Sequence, residues 1–450
     1  MEIMANEGLR SADAPRGGGL LKVLGLAFGL AVGVGAMVGA GILRTPGAVA
    51  AHLPSAGVLL ALWAVAAVHS ALSANIVAEL MTATPRSGGV FNVAQRAFGA
   101  GGALLVGWTD WLGSVASLAA LGIAAAEFLA ALVPAIGPHV GQTGAAIVLA
   151  LIGLNWLGVR EGSGAQILTS SLKAVLLAAM IVTIFVLGPE RTAEGVAAAR
   201  PALSFLGLIV AYQLIIGAYA GWANGAYFAE EDPRPQVTIP RALFGAVALV
   251  SLIYLLFNAA LLHALGMDGL RGSELPAAAS MAVVVGVKAA PVVAAVALVT
   301  VLGCINANIM VATRVLHGLA REGFLPAVFG RINRGGTPDT ALAVTAVLSI
   351  GLALSGSFEL VFLAMGALGQ LVIALTDVAF FRLRWKEPAA ARPFRALGYP
   401  AAPALALILD VGVLIAFLAA DLRSAAFMAA AIAVCIPLAA LRAKAPPPIE

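Results

Sequence analysis

Charge is scarce in this sequence. Aspartate, glutamate, lysine and arginine make up 11% of the 450 residues, against 61% hydrophobic residues and a mean hydropathy of +1.01. That leaves little for a soluble domain, and the chain reads as a polytopic membrane protein. Cysteine is scarcer still: Cys304 and Cys435 both fall inside apolar runs, so no disulfide framework is implied. None of the five lysines follows a GxxxxGK pattern, and neither HExxH nor GxSxG occurs. Without a phosphate-cradling loop or the common hydrolase signatures, the chain is not expected to be an enzyme, and its energy must come from a gradient or from exchange. The five histidines are scattered without ligand spacing, so neither a metal nor a cofactor is expected. The net charge of +4 is spread over loops, which argues against a nucleic-acid surface.

What the sequence has is apolar runs of about the 20 residues needed to cross the hydrocarbon layer. About twelve are expected, at 21–45, 56–81, 99–131, 143–158, 163–188, 202–229, 240–264, 283–316, 339–355, 358–382, 402–420 and 425–441. The first is too long, and lacks a small-residue cleavage site, to be a signal peptide. Placing both termini in the cytoplasm puts nineteen of the 26 Lys and Arg residues inside and six outside, Arg44 among the six. The positive-inside rule favours that orientation. About 20 residues would precede the first span and fewer than ten follow the last, which leaves no room for a signalling domain.

The first run is interrupted where a spanning helix should be most regular. Gly33, Gly35, Gly39 and Gly41 fall within nine residues. Each costs about 1 kcal/mol against alanine in a helix interior. Either the helix breaks there, which lipid tolerates only where freed backbone is buried in protein or lines a cavity, or Gly35 and Gly39 form a close-packing face. The sixth run repeats the pattern: Gly217-Ala218-Tyr219-Ala220-Gly221-Trp222-Ala223-Asn224-Gly225 stands in the middle of the charge-free stretch 202–229. Two glycine-interrupted spans in corresponding positions point to an inverted repeat with a binding site at the midplane.

Polar residues at depth need partners. Lys173 lies about ten residues from the inner end of its run, roughly half-way through the membrane. A charged lysine there costs at least about 2.5–3.5 kcal/mol, so it is expected either to exchange a proton during transport or to tie helices together as a structural cation. Asp110 is expected to be paired, Trp108 and Trp111 to be belt or core residues, and Glu127 sits further along the same run. Asn306 and Asn308 are buried amides that either serve a cavity or tie helices. Asp377, Asp410 and Glu359 lie toward run ends or in the last pair, near water, and no role is expected of them. Residues 85–99 read as a turn and a short amphipathic helix at the inner surface.

Five blocks in order resemble the amino acid-polyamine-organocation superfamily, nearest to the bacterial relatives of the L-type amino acid transporters. They are Gly35-Ala36-Met37-Val38-Gly39-Ala40-Gly41-Ile42; Ala78-Glu79-Leu80 with Pro85-Arg86-Ser87-Gly88-Gly89; Asn155-Trp156-Leu157-Gly158-Val159-Arg160; Ala218-Tyr219-Ala220-Gly221-Trp222 with Glu230-Glu231; and Ala320-Arg321-Glu322-Gly323-Phe324-Leu325-Pro326. The resemblance implies an all-α integral membrane fold of about twelve helices. Its transport core, 21–383, would hold a five-plus-five inverted repeat (21–188 and 202–383) with discontinuous helices 1 and 6. A cytoplasmic tail, 1–20, would precede it, and 384–450 would carry a loop, two peripheral helices and a short tail.

It also implies an L-α-amino acid substrate, held by Met37, Val38, Gly39, Ala40, Gly41, Ile42, Gly217, Ala218, Tyr219, Ala220, Gly221, Trp222 and Asn306. By position, the amides of Ala40, Gly41 and Ile42 would receive the α-carboxylate, and the carbonyls of Met37, Ala218 and Ala220 the α-ammonium. Tyr219 would be the gating aromatic, with Trp222 its neighbouring wall. Lys173 would stand in place of a sodium ion, implying sodium-independent proton symport or exchange in the cell membrane, with protons and lipid as the further partners. Ala40 departs from the Ser or Thr of many members, and Gly217 and Ala218 are small where some relatives are bulky. A cationic amino acid or polyamine carrier, and a non-transporting amino acid sensor, are the alternatives.

Overall fold

The computed structural model describes residues 22, 24–189, 202–286, 289–355, 358–420 and 422–442. The expected tail at 1–20, the basic residues Arg191, Arg200 and Lys288, and residues 443–450 lie outside them. All regular elements among the described residues are helical. Helices satisfy their backbone hydrogen bonds within one segment, which is what apolar runs in lipid require.

The first expected span is two helices, α1 (Leu26–Met37) and α2 (Ala40–Ala51), bent by 44° where they meet. The expected run ends at 45, whereas α2 continues through Arg44 and Pro46 to Ala51. Glu127, 3.1 Å from the Arg44 guanidinium, neutralises the charge that marks the end of the run in the sequence. Next come α3 (Ala56–Ala83), started by a Ser55 hydroxyl that accepts from the Val58 amide, and α4 (Phe91–Phe98). The short helix expected within 85–99 is therefore present. Phe91, Val93, Ala94 and Ala97 bury it against α5 (Ala100–Leu132), so it is docked into protein rather than laid on a surface.

After a 3-10 turn at Pro134–His139, α6 (Val140–Leu157) and α7 (Val159–Leu187) follow. The sixth span is α8 (Phe205–Tyr219) with a 3-10 stretch, Trp222–Glu231, beyond it, and α9 (Pro235–Arg271) comes next. The run expected from 283 is divided. Here α10 (Pro276–Val285) stops at Gly286, whose φ of +80° suits glycine alone, and α11 (Ala289–Arg321) starts afresh. The chain finishes with α12 (Asp339–Leu354), α13 (Phe358–Lys386), α14 (Ala401–Ala420) and α15 (Leu422–Arg442).

Among the described residues, nine helices are long and apolar enough to cross a membrane, or ten if the bent pair counts as one span. Asp339–Leu354, where the ninth span is expected, is apolar but shorter. The most apolar stretches of α5 and α11 are each 67% buried, against 22% for α14, so the first two form the middle of the bundle and α14 its edge.

Ion pairs tie one end of this bundle. Arg314 on α11 makes a two-pronged contact with Glu231, at 2.9 and 3.1 Å, and both side chains are buried. Breaking such a pair from one side leaves a naked buried charge and costs about 3–5 kcal/mol. Arg321 pairs with Glu230 at 2.7 Å, Arg86 with Glu322 at 3.2 Å, and the Leu24 amide donates to the Glu231 carbonyl at 3.0 Å. The start of α1, the end of the sixth span and the end of α11 are thus bound together.

Candidate functional site

Both glycine-rich spans come apart. Between α1 and α2, Val38 (φ −75°, ψ 91°) and Gly39 (φ −126°, ψ −160°) are extended. Beyond α8, Ala220 (φ −55°, ψ 141°) is non-helical, and Gly221 takes the left-handed conformation at φ +103°. The breaks lie against each other. A Cβ on Gly41 would stand 3.3 Å from the Ala218 Cα, and one on Gly221 would stand 2.6 Å from the Ala36 Cβ. Gly35 and Gly39 pack as well, since a Cβ there would meet the Gln166 amide and the Cys304 sulfur. The same run therefore both breaks and packs.

The chemistry of the gap is set by helix ends. No side chain caps α2 at Gly39, and the first amides of a helix, here those of Ala40, Gly41 and Ile42, have no partner within it. Opposite them stand the carbonyl ends of α1 and α8. Tyr254 on α9 donates to both, with its hydroxyl 2.7 Å from the Met37 carbonyl and 2.9 Å from that of Ala218. One hydroxyl hydrogen serves two carbonyls that have two lone pairs each, so acceptor capacity remains at both. Tyr219 is buried against Trp63 and Tyr254, at ring separations of 6.0 and 5.1 Å. Ala220, between buried Tyr219 and Trp222, is exposed, so the second break borders open space.

Lys173 holds the first break from behind. It sits midway along α7, is 0% exposed, and donates to the carbonyls of Gly35 (2.6 Å), Val38 (2.8 Å) and Thr300 (3.3 Å). Three ammonium hydrogens thus meet three carbonyls, two of them at the negative end of the α1 dipole. The Cys304 thiol donates beside it, 3.0 Å from the Gly35 carbonyl.

Comparison with known proteins gives the family. The family described as "Amino acid permease" matches residues 19–441. The large neutral amino acids transporter small subunit 2 of Rattus norvegicus is 28% identical over 404 residues, covering 85% of this chain and 74% of the relative. The serine/threonine exchanger SteT of Bacillus subtilis is 27% identical over 310 residues, covering 68% and 70%. An uncharacterized transporter of Mycobacterium bovis is 30% identical over 376 residues, covering 80% and 82%. This chain belongs to the amino acid permease family.

Within the permease, residues 37–42 and 217–222 come together at the two breaks. Asn306 has its amide engaged elsewhere. It accepts from Asn155 at 2.8 Å and donates to Gln166 at 2.8 Å and to the Gly162 carbonyl at 3.1 Å, joining α6, α7 and α11. Asn308 donates to the Cys304 carbonyl one turn back, at 3.0 Å. Asp110 is paired as expected, accepting from the Tyr227 hydroxyl at 2.8 Å. Trp111 is core, its indole donating to Thr345 at 3.1 Å. Reading the sequence misses Tyr254, Thr300, Cys304, and the Gln166 and Ser170 side chains that hold the Ala31 carbonyl at 3.3 and 2.7 Å. None of them carries a local motif, because their partners are peptide carbonyls far off in the chain.

Proposed function

We propose that this permease carries neutral L-α-amino acids across the cell membrane by alternating access, as a proton symporter or an exchanger that needs no sodium. The observation that carries the reading is the juxtaposition of an uncapped helix start with two helix carbonyl ends. Together these present roughly +0.5 and −0.5 charge to one small space, which suits a zwitterion. The α-carboxylate lies on the amides of Ala40, Gly41 and Ile42. The α-ammonium lies on the carbonyls of Met37, Ala218 and Ala220. Hydrogen bonds to charged groups contribute about 1.5–3 kcal/mol each, so the backbone reads the head common to all amino acids. Gly217, Val38, Gly39, Tyr219, Gly221 and Trp222 complete the proposed surroundings, and Asn306, its amide taken by Asn155, Gln166 and Gly162, serves behind them as a helix tie.

Charge pairing supports neutral side chains. Glu127 is charge-paired with Arg44, and Asp110 is held by the Tyr227 hydroxyl, so both acids already have partners within the protein. Two of the relatives are named for neutral substrates, one for large neutral amino acids and one for serine and threonine exchange, which supports this. Lys173 supplies the cation among the break carbonyls, which supports sodium independence and a proton-coupled or exchange cycle. In this reading 21–188 and 202–383 are the inverted repeats, α14 and α15 are peripheral, and both termini are cytoplasmic. The tied end of the bundle is then the cytoplasmic one.

Uptake of a labelled neutral amino acid into proteoliposomes, with and without sodium and with internal substrate, tests this. Saturable, sodium-independent uptake or counterflow is expected, competed by neutral amino acids. Binding without flux would make the protein a sensor, and stronger competition by arginine or polyamines would make it a cationic carrier. In the same assay Tyr254→Phe is expected to raise the half-saturation concentration about tenfold, since one lost hydrogen bond near the site is worth about 1.4 kcal/mol. Unchanged half-saturation would remove Tyr254 from the site.

A further inference from the structure

Away from the helix breaks, four helices bring ionisable groups to one buried point. His69 is at the middle of α3 and Asp410 at the middle of α14, each 2% exposed. The His69 Nε2 stands 3.1 Å from an Asp410 carboxylate oxygen, and its Nδ1 stands 2.8 Å from the Tyr212 hydroxyl of α8. Ser73 donates to the second Asp410 oxygen at 2.9 Å, and Gln370 on α13 donates to the first at 2.8 Å. Asp377 on α13, 1% exposed, lies within hydrogen-bond reach of Asp410, and its Oδ2 accepts from no other donor. The sequence reading that puts Asp377 and Asp410 near water is corrected here, because the helices around them supply a polar shell in place of solvent.

The hydrogen count defines the chemistry. Asp410 accepts from Ser73, from Gln370 and from the imidazole side, and so acts as the carboxylate. A hydrogen bond between two carboxyl groups needs a proton, which places one on the Asp377–Asp410 pair. His69 then has two forms. As neutral imidazole it donates to Asp410 and accepts from Tyr212, and as imidazolium it donates to both. Both forms keep Nε2 beside Asp410 and Nδ1 beside Tyr212, so the cluster can gain or lose one proton with no more than a turn of the Tyr212 hydroxyl. Among the described residues, the titratable groups facing this point are His69 from α3, Tyr212 from α8, Asp377 from α13 and Asp410 from α14. Arg384, further along α13, is held by Glu79.

We propose that His69, Asp377 and Asp410 form a proton-binding site, separate from Lys173, whose occupancy sets how transport depends on pH. Buried chains of aspartate and histidine at membrane depth serve as proton relays, and histidine changes charge near neutral pH. The site joins α3 and α8, the second of which ends at a substrate break, to α13 and to the edge helix α14. A proton arriving at His69 changes the bond to Tyr212, seven residues before Tyr219 on the same helix.

The pH part of this proposal rests on the transport reading, while the proton site does not, so two measurements are paired. Infrared difference spectra of the full-length protein in lipid, taken between about pH 5 and 8, should show a buried protonated-carboxyl band that shifts with pH. Asp377→Asn keeps a donor to Asp410 and should abolish the band. His69→Gln should keep the band and abolish its shift. A wild type without the band, or variants with the wild-type pH response, would overturn the site.

In uptake, one proton gives up to about a tenfold change in rate per pH unit along one limb of the profile. His69→Gln should flatten that limb. Loss by the same factor at every pH would show a packing role and overturn the pH claim. If no flux occurs under any condition, the infrared result still decides the site, and only the transport reading fails.

Discussion

Lys173→Ala is expected to reduce transport by at least about 100-fold, a loss of about 2.7 kcal/mol or more in the rate-limiting step. The wild-type ammonium meets the carbonyls of Gly35, Val38 and Thr300, and removing it takes away their charged donor, leaving the neutral Cys304 thiol as the side-chain donor beside the first two. A hydrogen bond to a charged group contributes about 1.5–3 kcal/mol, and two of the three carbonyls flank the break whose amides and carbonyls are proposed to hold the substrate. The helix end there also loses the cation that offsets its negative pole. Lys173→Arg is not expected to rescue. A Cβ placed on Gly303 would already be 3.1 Å from the ammonium and 3.2 Å from Thr169, so the wall has no room for a guanidinium. Initial uptake in proteoliposomes, read together with the thermal midpoint of the purified protein, checks this. A variant that keeps the wild-type rate and pH profile would reduce Lys173 to a dispensable helix tie.

Depth and spacing make part of this molecule legible from its residues, and partner identity is what they leave out. The breaks at Val38–Gly39 and Ala220–Gly221 are legible because glycine clusters at mid-membrane are costly in a helix and need a reason. Lys173 is legible by counting along its run. Its three carbonyl partners are not, since peptide groups leave no mark in a sequence. The extension of α2 past Arg44 depends on Glu127, 83 residues away. The Ser73–Asp410 bond spans 337 residues. For Asp377 and Asp410, position toward a run end or in the last pair suggests water, and only the assembled helices show a buried, hydrogen-bonded pocket. Asn306 illustrates the same limit, because a buried amide is readable but the choice between lining a cavity and joining α6, α7 and α11 is made by Asn155 and Gln166.

Gly221→Ala is expected to match the Lys173 effect by a different route, through geometry alone. At φ +103° an alanine pays about 1–2 kcal/mol for the left-handed backbone. The new methyl would also stand 2.6 Å from the Ala36 Cβ and 3.0 Å from the Ala36 carbonyl carbon, so backbone must move. Ala36 precedes Met37, and the displacement separates the carbonyl ends of α1 and α8 from each other and from Tyr254. A misplacement of about 1 Å at a positioned site can cost about 100-fold in rate, and that is the loss expected in uptake. The double variant Ala36→Gly, Gly221→Ala removes the side-chain collision but keeps the backbone strain, so it should recover only part of the rate. Gly153→Ala, on α6 with nothing within 4 Å of its added methyl, should transport at the wild-type rate and serves as the control. Wild-type uptake by Gly221→Ala in well-folded, monodisperse protein would mean that the second break does not need its observed shape. The pairing of helix ends proposed to hold the amino acid would then have to be abandoned.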